Sequence, residues 1–548
     1  MRELNHMLDV VIRNAHIVDG TGEPGRAGEI GIEGDKIAMV GAVGSGARRE
    51  IDAGGQVVSP GFIDIHTHSD FTLLIDGRAE STIYQGVTTQ INGNCGISAF
   101  PVGDMGPYLG PFDSARLRAA IEPRWDSAAG YFSTLETQGT AINSAFFTGH
   151  GALRQAVMGA ADRAPSSSEM KAMKQRMERQ MIEGSLGLST GLTYMPGSCA
   201  DTEEIIELAA VTAPYGGIYA THMRNYTAAI MEALEEAITI GRQAGVPAHI
   251  SHITPCPPAT GSALKLLERL GQAQQAGEDV TAETEFYATG STSLKSLLPP
   301  WALEGGDAAM VERLRQEELR QKMWREIEQR GSELGGSTKT VLMQYGHWDK
   351  LWLGNCSLNQ DSTGKSFAEI GRQRNRAPFE AICDILIEEE GAASFYGEDK
   401  TNEDIEQLGR GEHCGFGSDG LALANDGPLA QEREHPRCYG GMAYLIRTLV
   451  RQRKALSIEQ MIHKITRFPA RRMGLEDRGV LREGMQADLV VFDLEKITDR
   501  ATIDNPCIYS EGVEWSFVNG ETVVENGRST GARPGQILRG AAGESKKI

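Results

Sequence analysis

The sequence is short of cysteine, of basic residues and of long apolar runs, and each shortage excludes something. Eight cysteines are scattered irregularly over 548 residues, and no two form a CxxC pair. A disulfide-stapled secreted scaffold is excluded, a reducing compartment fits, and a special cysteine here is a metal ligand or a nucleophile. Lys and Arg number 54 against 74 Asp and Glu, for a net charge of −20. Nucleic acid and anionic membrane surfaces, which require net basic protein, are excluded as general partners, although local basic sites stay open. No run approaches the roughly 18 apolar residues of a membrane span. The opening MRELNHMLDVVIRN has no basic segment followed by an apolar one, so no signal peptide is expected. Hydrophobic residues at 40% and charged residues at 23% are ordinary globular usage, against disorder, collagen and coiled coil. A cytoplasmic globular protein with a small-molecule partner is expected. A homo-oligomer is left open.

What is present begins with β structure. Residues 8–18 carry β-branched side chains, 19–25 are turn material, and 29–40 alternate around Gly34-Asp35. Gly20-Thr-Gly22-Glu-Pro-Gly25 matches the dinucleotide fingerprint by letter. That motif has to open a helix, and here a strand follows, so it is set aside. From residue 61 short apolar runs alternate with helical stretches: 62–66, 88–91, 144–148, 187–189, 217–221, 248–251, 280–286 and 416–418 as strands, with helices such as 203–210, 228–243 and 263–275. Eight such units specify a parallel (β/α)8 barrel. The gap at about 290–415 is too long for a loop and holds a charged helix near 307–330, which points to an inserted subdomain with a solvated or lid-like helix. After residue 475 β structure returns at 487–492, 513–518 and 521–524, the last two joined by Asn519-Gly520, a hairpin signal. The expected architecture is α/β: a TIM-like barrel over 61–474 with the insertion, and one β-sandwich built from 1–60 and 475–548.

The histidines carry the chemistry. His66 and His68 stand at i and i+2 at the end of the first barrel strand, so both imidazoles face one side. Cys95 follows the second strand, His222 ends the fifth, His252 ends the sixth, and Asp419 follows the eighth. All six fall at C-terminal strand ends, where barrel active sites are built. Imidazole, thiolate and carboxylate together suit Zn²⁺. A lone His-x-His or a lone cysteine is usually packing; six together at strand ends are a metal site. His150 ends a strand and reads either as part of the site or as a loop partner. His249 faces away from the site, and His413 has no clear partner. Tyr194, just after a strand, reads as a pocket-lining or packing residue.

Val58-Ser-Pro-Gly-Phe-Ile-Asp-Ile-His-Thr-His68 resembles the opening signature of the amidohydrolase superfamily. Asn94-Cys-Gly96, Ser189-Thr-Gly-Leu192, Thr221-His-Met-Arg-Asn225, Gly290-Ser-Thr-Ser-Leu294, Pro299-Pro-Trp-Ala-Leu-Glu-Gly305, Gly417-Ser-Asp-Gly420, His435-Pro-Arg437 and Ala532-Arg-Pro-Gly535 resemble the N-acyl-D-amino-acid deacylases, in that family's order. The resemblance implies a tight zinc site at Cys95, His222 and His252, and a second, weaker position at His66, His68 and Asp419. It also implies substrate-carboxylate contacts from Arg437, Tyr287 and Ser293. Asp419 is placed to take a proton from water and return it to the leaving nitrogen.

Two departures bear on the substrate. Thr254, followed by Pro255-Cys-Pro-Pro258, stands where the family usually has Lys, and Glu285-Phe-Tyr287 replaces Tyr-Pro-Tyr. Losing a charged hydrogen bond to a carboxylate costs about 1.5–3 kcal/mol. The expected activity is zinc-dependent hydrolysis of a linear amide, an N-acyl-D-amino acid, to carboxylate plus free amino acid. The alternatives are hydrolysis of another C–N bond (cyclic amide, ureido or aryl amide) and a non-catalytic scaffold, the latter disfavoured because all six ligands remain.

Overall fold

The eight apolar runs form the ring of parallel strands that their alternation with helices predicts. The computed structural model describes residues 7–103, 106, 108–109, 120–159, 161–331 and 337–544. Phe62–Asp64, Val87–Asn92 and Asn143–Phe146 pair in parallel. Gly187–Gly191, Ile218–His222, Ala248–Ile250, Val280–Thr284 and Cys414–Phe416 continue in parallel, with the short Thr148–Gly149 against the first of them. The Leu186 amide donates to the Phe146 carbonyl between the third and fourth strands at 2.8 Å. The Asp419 amide donates to the His66 carbonyl at 2.9 Å and closes the ring between first and eighth. Such strands are covered on both faces, and Val87–Asn92 is accordingly buried throughout. The surrounding helices bury one stripe each; in Ile230–Ala244 it runs through Ala233, Leu234, Ala237, Ile238 and Gly241. The eighth strand lies two residues before its expected place. Beyond Phe416 the Ser418 amide donates to the Asp64 carboxylate at 3.0 Å, and Asp419 turns into the left-handed region, which ends the ladder.

The long interval after the seventh strand has a core of its own. Thr289–Ser293, Leu351–Leu353 and Ser394–Glu398 form an antiparallel sheet with Ser394–Glu398 in the middle. Leu297, Leu314, Ile327, Ile382 and Phe395 pack together beside it. The charged segment at 307–330 is two helices, Gly306–Leu314 and Glu317–Arg330, rather than one. Each buries a short apolar stripe (Met310, Val311 and Leu314; Met323 and Ile327) that a single straight helix would not turn toward the same core. By Asn402–Arg410 the chain has rejoined the barrel, with Leu408 in the barrel's helix-side core.

Both ends of the chain build one β-rich domain with its own core, as expected, and its nine strands are joined in one hydrogen-bonded network. It forks at Leu8–Ile17. That strand pairs with Arg26–Glu33 on one edge, and on the other first with Ala47–Asp52 and then with Val57–Pro60. Leu489–Phe492 joins antiparallel to Val57–Pro60. Alternation divides its side chains: Leu489 and Val491 enter the sheet's own core with Ile12, Ile30 and Val58, while Val490 and Phe492 enter the barrel core with Phe62. The Gly20–Gly25 turn runs into the strand Arg26–Glu33. The Asn519-Gly520 turn joins Val513–Val518 to Glu521–Glu525. Among the described residues no helix is long and apolar enough to cross a membrane.

Phe492 is fully buried and meets Phe62 edge to face at 5.9 Å between ring centres, so it ties the sheet to the barrel. Phe492→Ala is expected to cost about 3–5 kcal/mol of unfolding free energy. Denaturant titration measures it, and a loss under 1 kcal/mol would contradict a shared core.

Candidate metal centre and active site

Six donor side chains converge at the C-terminal mouth of the barrel in two overlapping sets. His66, His68, Cys95 and Asp419 form one, and Cys95, His222 and His252 the other; within each set the donor atoms lie within 4.8 Å of one another. Cys95 is the shared corner. Its Sγ stands 3.3 Å from His66 Nε2, 3.5 Å from His252 Nε2 and 3.7 Å from His222 Nδ1. Asp419 Oδ1 lies 2.9 Å from His68 Nε2 and 3.4 Å from His66 Nε2.

The backbone is bent to achieve this. Cys95, His252 and Asp419 all have positive φ, at 53°, 35° and 54°. L-residues avoid this region at a cost of about 1–3 kcal/mol each, and such conformations gather at functional sites. Beside Cys95, Gly93 lets the Asn92-Gly-Asn-Cys-Gly96 turn lie against the neighbouring strand. A Cβ there would stand 2.3 Å from the Phe147 carbonyl oxygen.

The electrostatics fit a cation. Burial pushes the Cys95 thiol up to about 11, against a smaller opposing pull from His66. A thiolate at this point therefore requires a positive ion, as a coordinated metal supplies. His222 is held well below its ordinary value, and His252 is lowered to about 4, by burial and neighbouring imidazoles. Both are thus neutral, with lone pairs available to a metal. Burial works to raise the Asp419 carboxyl, but Arg437, His66 and His68 outweigh it and keep Asp419 ionised.

Beneath the donors lies a carboxylate that the sequence did not single out. Glu283 accepts from His66 Nδ1 at 2.7 Å and from the His252 amide at 2.8 Å, and it also pairs with His249. It fixes the tautomer and orientation of His66 in the manner of outer-shell carboxylates. His249 thus faces away from the donors and supports them from below. His150 is outside the cluster, bonded at 2.8 Å to Glu204, which also binds Arg154.

A cavity opens from the donors toward the insertion. Tyr194, His222, His252, Thr254, Glu285 and Asp419 line it near the barrel, and Gly290, Thr292, Lys339 and Lys400 beyond. Tyr194 has its ring 4.8 Å from that of His222, and Thr254 Oγ1 is 2.7 Å from Thr284 Oγ1. Arg437, Tyr287 and Ser293, expected at the substrate's carboxylate, are not in the cavity wall. The reason for Arg437 is Glu285. The guanidinium Nη1 is 2.6 Å from Glu285 Oε1 and 2.7 Å from Asp419 Oδ2, and Nη2 donates to the Ser291 carbonyl, so both terminal nitrogens are bonded within the protein. Tyr287 stacks on Tyr444 at 4.1 Å and meets His435 edge-on. Ser293 ends the strand Thr289–Ser293 and is buried there.

Two overlapping donor sets at the mouth of a (β/α)8 barrel define a metal-dependent hydrolase of the barrel type. Residues 49–309 and 410–524 match the amidohydrolase family, and the chain belongs to it. The unmatched interval coincides with most of the insertion. The chain is 32% identical to a D-aminoacylase of Alcaligenes xylosoxydans xylosoxydans over 97% of each chain. It is also 32% identical to an N-acyl-D-glutamate deacylase of the same organism, over 98% of this chain and 97% of that one. The crystal structure of the N-acyl-D-glutamate deacylase of Bordetella bronchiseptica, with zinc and a phosphonate mimic of the tetrahedral intermediate, superposes with a TM-score of 0.80 at 29% identity, covering 97% and 100% of the two chains.

The segment leading to Arg437 carries a pH-sensitive element. Asn355 Nδ2 donates to both Glu432 and Glu434, and burial with the Glu432 charge pushes Glu434 up to about 7. A carboxyl raised on folding destabilises the fold as pH climbs from its unfolded value through its folded one. Glu434→Gln is therefore expected to stabilise by about 1–2 kcal/mol at pH 8 and by nothing near pH 4. Thermal melts at the two pH values measure this, and an equal effect at both would refute it.

Proposed function

We propose that the protein hydrolyses the amide of an N-acyl-D-amino acid, giving a carboxylate and the free amino acid, with zinc held by Cys95, His222 and His252. His66, His68 and Asp419 form a second, weaker metal position. The observation that carries this reading is the pair of donor sets sharing Cys95, in a chain similar from end to end to enzymes named as D-amino-acid deacylases. None of the eight cysteines is in a disulfide, which suits a reducing compartment such as the cytoplasm.

Zinc bound in such a site lowers the pKa of its water to about 7 and polarises a carbonyl. The protein supplies the rest. Asp419, kept ionised by Arg437 and the two histidines, is the base that takes the proton of the attacking water. Once protonated, it is the acid that delivers that proton to the amide nitrogen as the C–N bond breaks. Arg437, 2.7 Å from Asp419 Oδ2, orients this carboxylate and lowers its pKa. Tyr194 and Thr254 line the cavity that would receive the substrate. Glu283 holds His66 through Nδ1.

Amine release from matched N-acyl-D- and N-acyl-L-amino acids is expected to be D-selective. Turnover confined to neutral or cyclic amides would overturn the substrate. Asp419→Asn is expected to lower kcat by about 10²–10⁴-fold while the zinc content stays stoichiometric, and retention of a tenth of kcat would refute the acid–base role. Arg437→Ala removes the charge that holds Asp419 low, so the acidic limb of the kcat/KM profile is expected to move to higher pH. An unmoved limb would remove Arg437 from this role.

A further inference from the structure

Beyond the metal donors the cavity ends against the insertion, and two lysines reach it there. Lys339 precedes the helix Thr340–Gln344, and Lys400 follows the strand Ser394–Glu398. Both fall in the interval 310–409 that the family match leaves out. Both line the cavity and are otherwise nearly enclosed, 7% and 9% exposed.

The insertion is shaped to admit them. Gly290 and Gly397 lie directly opposite each other in the antiparallel ladder, so their missing side chains leave one notch on one face of the sheet. A Cβ on Gly397 would stand 2.8 Å from both Cγ and Cδ of Lys339. A Cβ on Gly290 would stand 2.7 Å from Lys400 Nζ and 3.2 Å from Lys339 Nζ. Neither glycine has positive φ, so the pair is there for space and not for backbone conformation. The two ammonium groups therefore converge on the spot where Gly290 meets the cavity.

Their hydrogen-bond donors are not all used at that end. Lys339 Nζ binds Asp399 Oδ2 and Thr338 Oγ1, both at 3.1 Å. Lys400 Nζ lies 2.7 Å from Glu285 Oε2 and 3.7 Å from Asp399 Oδ1, the latter too long for a hydrogen bond. An ammonium has three donors, so each lysine keeps at least one beyond these contacts. Glu285 is shared with Arg437, while Asp419 belongs to the donor cluster. Spare ammonium donors thus remain at this end of the cavity, and Thr254, which also lines it, offers no charge.

Resting on the deacylase reading, we propose that Lys339 and Lys400 are the specificity-determining cations of this enzyme, binding the carboxylate of the N-acyl amino acid at the Gly290–Gly397 notch. The insertion thus supplies the charge absent at position 254. Glu285 bridges Lys400 and Arg437, and so links the carboxylate end of the cavity to the Asp419 end.

The test compares kcat/KM for N-acetyl-D-leucine with that for its C-terminal carboxamide, in the zinc-loaded wild type and in Lys339→Gln, Lys400→Gln and Gly397→Ala. The last keeps every charge and crowds chiefly the Lys339 stem, with a lesser contact on Leu351, so it does not depend on a fold that tolerates unpaired Asp399. The preference for the carboxylate is expected to fall by about 10–100-fold in the lysine variants and in the same direction in Gly397→Ala, with Lys339→Arg restoring part of it. An unchanged preference in variants of wild-type zinc content and melting temperature would overturn the proposal. If the wild type cleaves neither compound, the deacylase reading falls. Calorimetric binding of succinate against succinamide then decides the lysines alone: weaker succinate binding in the variants supports the notch, and equal binding refutes it.

Discussion

The buried carboxylate of Glu283 is the point to which the candidate centre is tied. One oxygen takes the ring of His66 and the backbone of His252, while His249 secures the group from the far side. Two elements distant in sequence are thereby held at one level of the barrel. A buried charge of this kind is tolerated only when its partners are in place, and breaking such a network by removing one member costs several kcal/mol. The position of Cys95 then follows, because its sulfur lies between the two histidines that Glu283 has located. The strained backbone at Cys95, His252 and Asp419 is sustained by this framework.

A second network adjoins the first. Asp419, Arg437, Glu285, Lys400, Asp399 and Lys339 form a chain of alternating charge from the donor cluster into the insertion. Alternation lets buried charges coexist at low dielectric, since each has an opposite neighbour. It also couples the two ends of the cavity: a change at the lysines is felt through Glu285 and Arg437 by the carboxylate at the chemical end. Barrel and insertion have separate apolar cores, so these ionic contacts are a principal link between them beside the metal donors.

The sequence made the barrel and the donors legible for the same reason. Short parallel strands fix side-chain direction by alternation, and a polar residue at the end of an apolar run stands out, as His66, His68, His222 and His252 do. Glu283 did not stand out, because it lies inside Val280–Thr284 between two threonines and an alanine, where an acid reads as solvent-facing. Lys339 and Lys400 were beyond reach for another reason. Their convergence depends on how three strands of the insertion pair, and on two glycines that become opposite only through that pairing. Arg437 was found by its motif, but its partner Glu285 was read as a lost tyrosine and not as a new carboxylate. The split of 307–330 into two helices was set by the insertion's core, which local composition does not encode.

The nine-stranded sheet has a kinetic consequence. Val57–Pro60 takes its hydrogen-bond partner from Leu489–Phe492, more than 400 residues later in the chain. While the polypeptide is being made, that edge lacks this partner until more than 400 further residues have been added. Contacts of such long separation form late and slowly, because the loop between them has to close first. The barrel's first strand follows directly on this open edge. Completion of the sheet, and with it the seating of the strand that carries His66 and His68, therefore belongs to the last stage of folding. Until then the open edge is available to pair with another chain, and the strand that carries the first two metal donors follows directly on it.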